Sequence, residues 1–172
     1  GGTWSNSCTA TLVTPDAVLT AAHCVYSRRR PADPGDFRFG IGPDMDAPER
    51  TFGIRSIHIH PDYPATRRSD DSQMHDVAIL RLDENAVEAV PGLEPILANR
   101  ETLTPALEGQ RVQNVGYGAT STRDTGNSRR FWVTTDIHDV QEWDLVLDGN
   151  GAGSVCFGDS GGPALFQFNG EL

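Results

Sequence analysis

The apolar positions of this chain fall in short runs broken by glycine, proline and asparagine, and no segment sustains a 3.6-residue apolar period over several turns. "CTATLVTPDAVLTAAHCV" clusters β-branched and apolar residues around a turn signal at Thr14-Pro15-Asp16. "FRFGIG", "FGIRSIHIH", "DVAILRL", "RVQNVGYGA", "RFWVTTDIHDV" and "GGPALFQF" are further short strand-like runs. "NAVEAV" and "ETLTPALEGQ" predict one short turn of helix each. The pattern predicts an all-β chain, and many short strands at regular spacing predict a barrel or sandwich. From Asp83 to Gly109 strand signals are sparse and Pro91, Pro95 and Pro105 intervene. That stretch predicts a connection, residues 91–108, between a first half at 1–90 and a second at 109–172. "SRRRP" (Ser27 to Pro31) and "ATRRSDDS" (Ala65 to Ser72) read as solvated loops.

Composition narrows the class. At 172 residues with 37% hydrophobic content the chain is long enough for one ordinary domain or two small ones around a buried core. A formal net charge of −10 argues against a nucleic-acid partner, because such proteins neutralise phosphates with clustered Lys and Arg. No run approaches the roughly 18 apolar residues of a membrane span, so no membrane partner is expected. The chain opens on Gly1-Gly2-Thr3 rather than on a charged start and an apolar stretch, which reads either as a cytosolic protein or as a mature or trimmed product.

Three cysteines bear on compartment. A hairpin turning at Pro15-Asp16 could bring Cys8 and Cys24 together, and a bridge closing a loop of that size stabilises by about 3 kcal/mol in the chain-entropy model. Such a bridge favours an oxidising compartment and leaves Cys156 as a reactive thiol or one with a partner elsewhere. Three buried reduced thiols are the alternative.

Candidate chemistry centres on "CFGDSGGPA", Cys156 to Ala164, where one hydroxyl, on Ser160, is surrounded by glycines and preceded by an acid. A serine hydroxyl needs a neighbouring base to take its proton and a third group to hold that base in the right tautomer. His23 stands beside Cys24 in "LTAAHCV". Asp76 heads the apolar run "DVAILRL", where a partly buried carboxylate calls for a partner. Taken singly, each has a plainer reading: a core histidine, a strand-end acid, a glycine turn. His58 and His60 share one strand face, but no third ligand accompanies them and they read as solvated side chains.

"TAAHC", "DVAIL" and "GDSGGP", in that order, resemble the three signature motifs of the chymotrypsin/trypsin-like serine proteases. Cys8 and Cys24 are placed like that family's first-barrel disulfide, and "HPDYP" and "VGYG" are similar to recurrent family segments. The resemblance implies two antiparallel β-barrels packed face to face, with the first carrying His23 and Asp76 and the second Ser160. It implies that Ser160 attacks the scissile carbonyl, that His23 accepts its proton and returns it to the leaving group, and that Asp76 orients the imidazole. The N–H groups of Gly158 and Ser160 would form the oxyanion hole, and a side chain on Gly158 would obstruct it. Asp159 is the acid that in this family pairs with an amino group freed at the N-terminus. Ser154, six residues before Ser160, takes the place of the aspartate of trypsin-like members, which implies an uncharged, apolar preference before the cleaved bond.

The family's calcium loop corresponds to Asp44, Asp46 and Glu49, but Ile41 stands where a first acidic ligand is expected, so no metal and no cofactor are assigned. The implied protein is a secreted monomer acting on protein or peptide substrates and open to protein inhibitors. Only seven residues precede Cys8 and twelve follow Ser160, so the resemblance also implies barrels incomplete at both ends. A protease-fold module that binds without cleaving is the alternative function, and an esterase of similar chemistry a further one.

Overall fold

A computed structural model describes residues 5, 7–27, 30–63, 75–121, 123, 127–142 and 144–166. Among these residues eleven strands form in chain order: β1 (Thr11–Thr14), β2 (Ala17–Thr20), β3 (Tyr26–Ser27), β4 (Arg30–Pro31), β5 (Arg38–Ile41), β6 (Arg50–Ile59), β7 (Ala78–Leu82), β8 (Arg111–Gly116), β9 (Phe131–Val140), β10 (Leu145–Asp148) and β11 (Ala164–Leu165). A five-stranded sheet has the order β1-β2-β7-β6-β5, a four-stranded sheet the order β10-β9-β8-β11, and β3 pairs with β4 alone. Every pairing is antiparallel. Among the described residues neither large sheet closes on itself.

The strands follow from residue alternation. In β7 Ala78, Leu80 and Leu82 are buried while Ile79 and Arg81 face outward, the period of two that a one-sided sheet requires. β1 and β2 close a hairpin over Pro15-Asp16, whose carbonyls accept from Ala86 N–H at 2.7 Å and Leu82 N–H at 2.8 Å. The turn is thereby tied to the end of β7. Val18, Phe52 and Leu82 fill the middle of the core with Leu12, Ala22, Val25, Ile54 and Leu80 around them. The second sheet buries less apolar surface: Val112, Ala119 and Ile137 are covered, together with Asn114, whose amide donates to Thr135 Oγ1 at 2.8 Å.

Both short helical turns form. In α1 (Ala86–Ala89) the Asn85 side chain accepts from Val87 and Glu88 N–H, satisfying two of the orphan donors of a helix start. Residues Pro105–Leu107 make the second, a 3-10 turn. The strand-poor stretch from Asp83 to Gly109 contains no strand, yet it is packed down, with Ala86 fully buried and Val87, Val90 and Leu93 against the first core. The run "SRRRP" departs from a plain loop, since its ends belong to the β3–β4 pair. β10 was not foreseen. The stretch "ATRRSDDS" and the end of "GGPALFQF" lie outside the described residues.

Candidate active site

His23 sits in a single 3-10 turn, Ala22–Cys24, directly after β2. Ala22 is wholly buried and anchors the turn, which leaves the His23 side chain half-exposed. Asp76 precedes β7, the strand paired with β2, so sheet pairing brings the two residues to the same edge. The carboxylate uses both oxygens on His23: Oδ1 accepts from the backbone N–H at 2.8 Å and Oδ2 lies 2.6 Å from Nδ1. An ionised carboxylate only accepts, so the proton of this contact resides on Nδ1, and in the neutral imidazole Nε2 is the nitrogen with the lone pair. A base is thereby oriented.

The Cys8–Cys24 disulfide forms, with Cα atoms 6.2 Å apart. It joins the residue after His23 to the residue before Thr9. Thr9 N–H donates to Ser160 O at 2.9 Å, and Cys24 Sγ packs 3.8 Å from the same oxygen. The sulfur, being oxidised, carries no proton, so that second approach is van der Waals contact. The nucleophile candidate therefore rests its backbone beside the residue following His23. Among the described residues no hydrogen bond joins Ser160 Oγ to the imidazole, as is common in ligand-free sites.

The turn that carries Ser160 is held carbonyl by carbonyl. Phe157 O accepts from Ala119 N–H at 2.8 Å, Gly158 O from Thr9 Oγ1 at 2.9 Å, Asp159 O from Gly162 N–H at 2.8 Å and Ser160 O from Thr9 N–H. Among the described residues the N–H groups of Gly158 and Ser160 donate to nothing. Gly158 and Gly161 have φ of +97° and +79°, and a Cβ on Gly161 would lie 2.5 Å from Thr9 O and 2.7 Å from Ala21 N. Glycine is required there by both conformation and space.

The trypsin family model matches residues 1–171. The chain belongs to the trypsin family. Among curated relatives of this family it is 27% identical to chymotrypsin-like elastase family member 1 of Rattus norvegicus, over 99% of this chain and 66% of the relative. It is 31% identical to granzyme M of Rattus norvegicus, over 95% of this chain and 66% of that protein. The chain thus spans just under two thirds of the length of these relatives. A solved structure of mouse neuropsin, a serine protease, superposes with a TM-score of 0.72 at 22% identity, over 92% of this chain and 71% of the other. The fold is the chymotrypsin fold of this family.

In this trypsin-family chain Asp159 points into the loop after β8. Its Oδ1 accepts from Gly118 N–H at 2.9 Å and its Oδ2 from Cys156 N–H at 2.8 Å. The carboxylate fills the space that a side chain on Gly116 would need, and a Cβ on Gly118 would come within 2.7 Å of Asp159 N. Ser154 is exposed, in an irregular stretch that also exposes Val155 and Phe157, the latter to 85%. Cys156 is a half-buried free thiol.

The remaining candidates have other partners. Asp44 accepts from Ser128 Oγ at 2.6 Å and from Asp46 N–H, and faces Arg129 at 3.6 Å. These contacts, the Ser128 hydrogen bond foremost, hold its carboxyl below the usual 3.8. His58 Nε2 lies 2.9 Å from Ser56 Oγ. His60 departs from a merely solvated side chain, for its ring stacks on His75 at 4.6 Å between centroids, and His75, at φ 58°, precedes Asp76. Thr9 and His75 carry no signal in the sequence, and Gly118 stands in the family-like "VGYG" with nothing local to name its partner. Their roles arise from contacts between segments far apart along the chain.

Proposed function

We propose that this chain carries the active centre of a serine endopeptidase. Ser160 attacks the carbonyl carbon of a peptide bond, and its proton passes to His23 Nε2. The resulting imidazolium is stabilised by Asp76, and the negative oxygen of the tetrahedral intermediate lies against the N–H groups of Gly158 and Ser160. His23 then protonates the leaving amine, the acyl-enzyme forms, and water releases it by the same steps in reverse order. The observation that carries this reading is the pinned turn with two unused N–H donors, set next to an imidazole whose Nδ1 is committed to a carboxylate.

The same reading assigns His23 and Asp76 to a first unit at residues 1–90 and Ser160 to a second at 109–172, joined by 91–108. With Ser154 uncharged and Val155 and Phe157 exposing apolar surface around it, an apolar or uncharged residue before the cleaved bond is the favoured substrate. The disulfide favours an oxidising, extracellular compartment.

The test is covalent labelling with a fluorophosphonate. Peptide mapping should locate the adduct on Ser160, and both Ser160→Ala and His23→Ala should abolish it. A folded, disulfide-intact chain that remains unlabelled would mark a protease fold that binds without cleaving.

A further inference from the structure

Thr9 makes an unusual set of contacts for a residue outside any strand. It is buried, with 4% of its surface exposed, and it follows Cys8 of the disulfide. Its backbone N–H donates to Ser160 O at 2.9 Å and its carbonyl accepts from Thr20 Oγ1 at 2.8 Å, anchoring it to the end of β2. Its hydroxyl donates to Gly158 O at 2.9 Å and accepts the N–H of Tyr117 at 3.2 Å. Its methyl group lies where a Cβ on Gly162 would touch it, at 3.2 Å. One side chain therefore meets both the turn around Ser160 and the loop after β8 that receives Asp159.

Two of the four carbonyls that hold the turn are held by this residue. The Gly158–Asp159 peptide is fixed on its oxygen side by the Thr9 hydroxyl and on its N–H side by Cys156 O at 3.0 Å. That peptide lies between the two that carry the unused N–H donors. If it rotates, the angle between those donors opens, and a donor off axis by tens of degrees loses most of its bond. The hydroxyl is the part of Thr9 that bonds Gly158 O, so its contribution is separable from that of the side-chain volume.

We propose that Thr9 is a positioning residue for the reaction of Ser160: its hydroxyl, bridging Gly158 O and Tyr117 N–H, sets the convergence of the Gly158 and Ser160 N–H groups. This rests on the protease reading above. Thr9 acts through the turn and does not itself touch the substrate. Thr9→Val keeps the shape and removes the bridge, taking the Thr9 hydroxyl away from the part-buried Gly158 carbonyl and Tyr117 N–H. Thr9→Ser keeps the bridge and removes the methyl.

The experiment compares wild type, Thr9→Val and Thr9→Ser in hydrolysis of p-nitrophenyl acetate and a peptide amide, alongside amide hydrogen exchange of the ligand-free proteins. In Thr9→Val the amide kcat should fall about tenfold, the loss expected for one buried hydrogen bond, with KM within about twofold. Thr9→Ser should recover most of that rate. Exchange at Tyr117 and Asp159 N–H should quicken in Thr9→Val and stay near wild type in Thr9→Ser. Equal losses in the two variants, or a change in KM alone, would overturn the proposal. The exchange measurement stands without turnover: an inactive wild type would defeat the protease reading, and unaltered exchange in Thr9→Val would separately defeat the role of the hydroxyl.

Discussion

A histidine does not choose by itself which nitrogen carries its proton; the neighbour of one nitrogen decides for the other. Here the neighbour is Asp76, 2.6 Å from Nδ1, with its second oxygen held on the His23 backbone N–H. Asp76→Asn can keep the backbone bond through its amide oxygen, which turns its NH2 group toward Nδ1 and forces the imidazole proton onto Nε2. That tautomer cannot accept from Ser160. Amide turnover should fall about 10⁴-fold, the loss seen when a triad acid becomes its amide, while the thermal midpoint moves by only a few degrees. Imidazole nitrogen chemical shifts should show the exchanged tautomer directly. His23, Asp76 and Ser160 were legible as candidates because each stands in a distinctive local motif. Thr9 was not, and neither was the partner of Gly118 within "VGYG", because the Thr9 hydroxyl bonds Gly158 O, 149 positions away, and the Gly118 N–H bonds the Asp159 carboxylate, 41 positions away.

At the scale of the element, β7 carries the argument. That it is a strand was readable from the apolar run "DVAILRL", but which face is buried was not, since Val77 to Leu80 is apolar throughout. Leu80 is buried at 5% exposure in the first core, whereas Ile79 is 42% exposed on the opposite face. Leu80→Ala should therefore cost about 2–5 kcal/mol of unfolding free energy and Ile79→Ala under about 1. Urea titration of both variants would check this. A similar loss in the two would mean that the sheet does not present one face to the core. β10 escaped notice because its pattern reads clearly only beside β9: Leu145 and Leu147 are merely half-buried, and the register with β9 shifts within the strand. β3 and β4 are two residues each, too short for any period to show.

At the scale of the whole molecule, two seams join the sheets among the described residues. One is Thr9. The other runs from residues 42–45 to residues 128–130, with Met45 N–H on Ser128 O at 2.8 Å and Arg130 N–H on Pro43 O at 2.9 Å. Tyr117 spans this seam, donating its phenol to Gly42 O at 2.6 Å. Burial raises its pKa above the usual 10.0, with Arg130 pulling in the opposite direction. On unfolding the phenol would ionise more readily, so stability is unaffected below about pH 10 and falls as pH rises through the folded-state value. Tyr117→Phe should cost about 1 kcal/mol at neutral pH and flatten that alkaline decline. Denaturant midpoints measured from pH 7 to 11 would show both, and an unchanged alkaline slope would assign the decline to another group. Two antiparallel sheets could be anticipated from strand density and motif order. Their seams could not, because they are built from loop carbonyls that no local pattern encodes.

The lodging of Asp159 constrains how this protein can vary over generations. At position 116 the obstacle is the acid's own side chain, so a codon change that introduces a methyl there becomes tolerable only in a lineage that has already shortened residue 159. At 118 main chain stands beside the same carboxylate, with Asp159 N at 2.7 Å and Cγ at 2.6 Å, so shortening residue 159 would not lift the obstacle. One glycine is thus hostage to its partner's history, and the other is barred outright.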